Sequence, residues 1–318
     1  MCDCPLSVII ADLLILTVAT YINPPLDLIR QFLLDPMHSV YLGVMKKLFE
    51  YWLNGNVKTV RISNNAKKQL SVLLIQLQRQ IPCELQRTTR SLSEINKFKS
   101  TEFQFILLYA GPIIFKKVLP KNIYKHFLLL HIGCRLLSSR EFAVQKNKHA
   151  KYLLTKFVEI APSLYGEQCL IGNMYSLIHL ADDIEYMNCP ISYITTYSFE
   201  NMLGKLKKLL HHGKKPLEQI CRRWNELAIN IKQPTIPPTI QILRKLRSDH
   251  VGNIPVVKIQ LKNTILTNKS PNNTVLLNNN KILEINSIYI SVNENIQSIK
   301  ITGIILKKNE PLYKSMQC

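Results

Sequence analysis

Glycine is scarce, ten residues in a chain of 318. Loops that cradle phosphate need glycine where the backbone comes close to an anion, and no P-loop, G-x-G-x-x-G or G-x-S-x-G string occurs. The common nucleotide-binding and α/β-hydrolase designs are thereby excluded. Eight cysteines are scattered without a C-x-x-C pair, which excludes a zinc ribbon and a thioredoxin-like motif. Their spacing is not that of a disulfide framework, so a reducing compartment is expected. Acidic residues are few, 21 against 41 Lys and Arg, leaving a formal charge of +20. Such an excess favours an anionic partner, nucleic acid or an anionic membrane surface, over a merely basic protein. The apolar run Ser7 to Ile22, "SVIIADLLILTVATYI", is too short to span a bilayer, carries Asp12 and has no Lys or Arg before it. A buried strand or helix is expected there; a signal-peptide core or an artefactual first exon are the other readings.

Apolar residues make up 47% of the chain, enough for a sizeable core. From Asp35 to about Ala228 the pattern is helical. "DPMHSVYLGVMKKLFEYWL" opens with Asp35, a favoured N-cap, and Pro36, whose missing N–H costs nothing in a first turn. Tyr41, Met45, Leu48 and Trp52 then share one face, as do Leu70, Leu73, Leu74 and Leu77 in the next helix. A buried helix over "TEFQFILLYAGPIIFKKVLP" is expected to kink or break at Gly111-Pro112. Further helices cover "YKHFLLLHIGCRLL", "HAKYLLTKFVEIAPSLYG", "NMYSLIHLADDIEYM" and "PLEQICRRWNELAINI". Another, "YSFENMLGKLKKLLHHGKK", puts Phe199, Met202, Leu203, Leu206, Leu209 and Leu210 on one stripe and ends at Gly213. "KQPTIPPT", Lys232 to Thr239, reads as a linker, followed by a short helical piece "IQILRKLRS". After residue 250 the chain alternates Ile and Val between turn clusters, the pattern of three to five antiparallel strands. The expected organisation is a helical region over 1–231, a linker over 232–249 and a small β module over 250–318. The fold class is thus mainly α, with a β appendage.

Three groups of residues could carry chemistry. Glu200 stands at a helix start, where the helix dipole alone explains a carboxylate, but it lies beside the apolar stripe. Lys205, Lys207, Lys208, Lys214, Lys215, Arg222 and Arg223, with His211 and His212, form the densest basic cluster, either a solvated face or a set of phosphate contacts. Asp35 and His38 make a D-x-x-H spacing that N-capping and local packing also explain. Helix-end capping is the expected role of Asp182 and Asp183. Asn268-Lys-Ser and Asn272-Asn-Thr would accept glycans only in a secreted protein.

The order of "PLDLIRQFLLDPMHSVYLGVMKKL", "FKSTEFQFILLYAGPIIFKKVL", "LYGEQCLIGNMYSLIHLADDIEYMN", "SFENMLGKLKKLL" and "PLEQICRR" resembles the C-terminal half of animal CACTA (En/Spm-type) transposases, from about Leu26 to beyond Arg223. "PNNTVLLNNNKILEI" is similar to a segment those proteins carry further on. The resemblance implies an incomplete RNase H-like core with a helical insertion. Two divalent ions, Mg2+ or Mn2+, would be held there by carboxylates for in-line attack on a phosphodiester. It matches Glu200 to the third carboxylate, Asp35 and His38 to the D-x-x-H signature, and Asp3 of "MCDCP" to the second aspartate. Asp3 and Glu200 are then the expected metal ligands, and the lysines after Glu200 the expected DNA contacts. The sequence departs from the family in lacking a counterpart to the first aspartate and to the C-x-x-C knuckle, and in having Tyr175 where a histidine is expected. The expectation is a truncated or degenerate, DNA-associated protein of the nucleus, unable to cut DNA as written, and a homo-oligomer if it assembles at all. A non-enzymatic remnant that binds nucleic acid or protein is the alternative.

Overall fold

The computed structural model describes residues 32–85, 87–229, 240–245, 254–261, 264–293 and 296–306. Asp3 and the Ser7–Ile22 run lie outside these residues, as does the Lys232–Thr239 stretch read as a linker. The chain is mainly helical with a small antiparallel sheet toward its C-terminus. It divides into two compact units, Met1–Ser71 with Leu92–Arg222, and Val72–Ser91 with Arg223–Cys318. Among the described residues no helix is long and apolar enough to cross a membrane.

The helical unit begins with α1, a continuous helix whose first part, Met37–Met45, is wound in π geometry and whose second part, Lys46–Asn54, is regular. Tyr41, Met45, Leu48 and Trp52 are all buried, as their spacing predicts. α2 spans Asn64–Gln78, with Leu70 and Leu74 buried. α3 runs Ser100–Phe105, passes through a π segment Ile106–Ala110 and continues as Gly111–Ile114. Of the expected kink or break at Gly111-Pro112, the break does not occur: the helix continues there through a widened turn. Gly111 N–H donates to the Ile106 carbonyl, and Pro112 has no N–H for the Leu107 carbonyl. His131 Nδ1 takes that carbonyl at 2.6 Å, so the helix crosses a proline without leaving a buried acceptor empty.

α4 (Lys121–Ser138), the short α5 (Phe142–Gln145), α6 (Asn147–Tyr165) and α7 (Gly172–Met187) complete the bundle. Phe49, Trp52, Phe103, Phe115 and Phe127 form its aromatic centre. The Phe115 and Phe127 rings meet edge to face at 4.9 Å, and Trp52 meets Phe115 in the same way at 5.0 Å. His126 is buried beside this cluster. Its Nε2–H donates to the Phe157 carbonyl at 2.8 Å and its Nδ1 accepts from Tyr165 Oη at 3.2 Å. Burial lowers its pKa to about 4, so the ring is neutral in the fold. α8 (Tyr197–Lys208) and α9 (Pro216–Ile229) follow.

In the second unit all strand pairs are antiparallel. β1 (Ile240–Lys245) replaces the helical piece expected over this stretch. Its Ile-Gln-Ile start suits a pleated strand, and Ile240 to Ile242 pair with Leu261 to Ile259 of β2 (Ile254–Leu261). β2 pairs with β3 (Thr264–Thr267) along its second half and with β5 (Ile282–Asn293) along its first. The β1–β2 ladder shifts register between Lys258 and Val256, and this irregularity explains why Val256 and Ile259, three residues apart, are both buried instead of strictly alternating. β4 (Thr274–Leu276) and β6 (Ile296–Leu306) both pair with β5. Val256, Ile259, Leu266, Ile285, Ile288 and Ile290 form the core. The β5–β6 ladder shifts register between Ile285 and Ser287, and there a side chain on Gly303 would overlap the Glu284 carbonyl oxygen. Asn272 is buried, and its Nδ2 donates to Ile265 O, Glu84 Oε2 and Cys83 Sγ. The nitrogen a glycan would occupy is thus already committed.

Candidate functional site

Asp35 does what the sequence predicts and more. Its Oδ1 accepts from Met37 N–H at 3.1 Å and its Oδ2 from His38 N–H at 3.2 Å, capping the start of α1. The same carboxylate also accepts from Thr196, N–H to Oδ1 at 3.0 Å and hydroxyl to Oδ2 at 2.7 Å. Thr196 stands at the cap position of α8, yet its hydroxyl goes to Asp35 and not to its own helix. One carboxylate therefore ties together the starts of two helices 161 residues apart in sequence. Burial opposes ionisation of Asp35, but the Thr196 hydroxyl, Thr196 N–H, His38 and Met37 outweigh it and hold its pKa below the ordinary carboxylate value.

His38 Nδ1 also bonds Asp35 Oδ2, at 2.5 Å. Because an ionised carboxylate only accepts, Nδ1 is the donor of this bond, and Nε2 is on the other side of the ring. That Nε2 lies 3.6 Å from Glu200 Oε1. Glu200 is in the first turn of α8, where its N–H donates to the Thr196 carbonyl at 3.0 Å. Both side chains are 58% exposed, so the imidazole is open to solvent while flanked by two carboxylates. The structure thus brings Asp35, His38 and Glu200 together.

Asp183 adds a third acid nearby. Its Oδ2 accepts from Leu34 N–H at 2.8 Å, and burial raises its pKa. It sits inside α7, not at its end; the helix runs on to Met187 and stops at Asn188 in a left-handed conformation. Asp182 is likewise internal and pairs with Lys151 at 2.6 Å. Helix-end capping is therefore not the role of either residue. Each reaches across to another segment of the same unit.

The basic residues divide by position. Lys205, Lys207 and Lys208 lie in the last turns of α8 and are exposed. Lys214 and Lys215 follow it, the latter 3.1 Å from Glu218, and Arg222 and Arg223 are on α9. Along α8 the acid and the nearest lysines are separated by about 7–12 Å of helix rise. No residue of α8 is buried: Phe199 is 70% exposed and Leu203 64%. The apolar stripe read from the sequence exists but faces outward.

Mg2+ demands several oxygen ligands in near-octahedral geometry. Asp35 has both oxygens engaged by five donors, His38 offers nitrogen, and Glu200 supplies one open carboxylate. Among the described residues no group of three or more His, Cys, Asp or Glu is placed to hold a metal ion. The described residues by themselves do not fit a two-metal site. Asp3, the other expected ligand, lies outside them.

Thr196 is the residue that sequence reasoning missed. Its position just before an apolar-periodic segment is an N-cap signal, but nothing in the sequence pairs it with Asp35. No protein-family profile, curated protein or solved structure matches the chain.

Proposed function

We propose that the chain is a transposase-derived, DNA-associated protein of the CACTA type that holds DNA without cutting it. The observation that carries the reading is the convergence of Asp35, His38 and Glu200, three residues singled out separately from the resemblance. The helix dipole accounts for an acid at the start of α8 and lysines at its end. It does not account for His38 being set against Glu200, nor for Thr196 bonding Asp35 rather than capping its own helix. The exposed lysines of α8 supply the phosphate contacts, and a nuclear location goes with that partner. The RNase H-like core with a helical insertion belongs to the same proposal.

His38 Nε2 and Glu200 Oε1 face each other at 3.6 Å and both side chains are open to solvent, so a water molecule or a ligand group can reach them. The carboxylates among the described residues fall short of a metal site. The test is incubation of the 318-residue chain with supercoiled plasmid in Mg2+ or Mn2+. The expected result is retention of the plasmid in a gel shift with no nicking above an EDTA control. Nicking that disappears in Glu200→Gln would reinstate a cleaving enzyme and overturn this reading.

A further inference from the structure

A cleft of about 460 Å3 opens beside the same helix start, lined by Gln104 of α3 and by Tyr193, Thr195, Tyr197, Ser198 and Asn201. Its size lies in the roughly 300–1,000 Å3 range of small-ligand sites. Its chemistry is distinctive in a protein of this charge: no Asp, Glu, Lys or Arg lines it, only hydroxyls, two carboxamides and tyrosine rings. A phosphate or a metal ion needs opposite charge, so neither suits such a lining. A flat, neutral molecule with several hydrogen-bonding edges does.

The individual groups fit that description. Gln104 donates one N–H to Tyr41 Oη at 3.4 Å, which leaves its carbonyl and second N–H for a ligand. Asn201 is exposed and its carboxamide has no partner among the described residues. A carboxamide offers a donor and an acceptor side by side, the pattern that pairs with the edge of a nucleobase. Tyr193 is 62% exposed, yet its ring is held in place. Arg140 donates to its Oη at 3.0 Å and lies 5.9 Å from the ring centroid. A fixed, open aromatic face is what base stacking uses. Tyr197 Oη is shielded from solvent, and burial pushes its pKa up to about 12, so the phenol adds no charge to the cleft.

Position points the same way. Thr195 and Tyr197 flank Thr196, which grips Asp35, and Asn201 follows Glu200. Cleft and carboxylate cluster thus share the first turn of α8. We infer that this cleft receives an unpaired nucleobase, stacked on Tyr193 and hydrogen-bonded by Gln104 and Asn201, from a single-stranded or flipped-out nucleotide of bound DNA. A base inside an intact duplex cannot enter such a cleft, so the site selects unpaired positions. The inference rests on the DNA-associated reading and adds the form of DNA that is preferred.

The test uses the full chain and fluorescent oligonucleotides: a single strand, a perfect duplex, and the same duplex with one unpaired base. The single strand and the bulged duplex are expected to bind about 5- to 100-fold more tightly than the perfect duplex. Tyr193→Ala should remove most of that preference without changing the salt dependence, and Tyr193→Phe should retain it. Asn201→Ala should weaken the bulged duplex and leave the perfect one unchanged. Thermal unfolding of each variant checks that the exposed substitutions leave the fold intact. Equal affinity for paired and unpaired DNA, or a preference that survives Tyr193→Ala, overturns the cleft assignment while duplex binding through the lysines still stands. Absence of binding to any of the three overturns both.

Discussion

Thr196 gives both its backbone N–H and its hydroxyl to Asp35, at 3.0 and 2.7 Å. This pair sets the start of α8 against the start of α1, and so decides where Glu200 stands relative to His38. The site is positioned by a hydrogen-bonded carboxylate more than by hydrophobic burial, since no side chain of α8 is buried.

Thr196→Val is the first consequence. It keeps the N–H and the shape but removes the hydroxyl donor. A loss of about 1–2 kcal/mol in denaturant unfolding is expected. The Asp35 pKa should rise, because a bond that holds it below the usual value is gone. Carboxylate titration followed by NMR reads that directly, and an unchanged pKa would remove Thr196 from this role.

His126 contributes to the pH dependence of stability, beside the buried His131, whose pKa burial also lowers. The folded pKa of His126, about 4, is depressed below the unfolded value of 6.5. Above the higher value both states are neutral and the group contributes nothing. As pH falls below 6.5 the unfolded chain takes up the proton and the folded one does not, so stability declines until about pH 4. The decline is about 3 kcal/mol at most from this residue. Unfolding midpoints measured across that window should flatten in His126→Gln. A wild-type profile with no slope there would show that the ring is not buried neutral.

Gly303→Ala tests the sheet. The added methyl meets the Glu284 carbonyl oxygen at the register shift of the β5–β6 ladder, and backbone cannot move aside as a flexible side chain would. A loss of about 1–3 kcal/mol is expected. Amide exchange in β5 and β6 should accelerate more than in α4 or α6. Uniform exchange across the chain would contradict that localisation.

Much of the helical unit was legible because its signals are local. Asp35-Pro36 marks a helix start, and the four residues from Tyr41 to Trp52 name a buried face. What escaped depends on distant partners. The π segment before Pro112 is stabilised by His131, 24 residues away from the carbonyl it fills. The strand at Ile240–Lys245 looks helical until β2 is there to pair with it. The stripe on α8 has helical spacing, but spacing says only that residues share a face, not that the face is covered. Of the site, Glu200, Asp35 and His38 were each visible as candidates. Their meeting was not, since the linking residue is a threonine whose hydroxyl has many possible acceptors.

Phosphate contact by the lysines of α8 is read by titrating a perfect duplex against salt, in EDTA. For the wild-type chain log affinity should fall linearly with log salt concentration, and Lys205, Lys207 and Lys208 changed together to alanine should flatten the slope by about 2–3 units. An affinity indifferent to salt, or the same slope in the triple variant, would contradict the account.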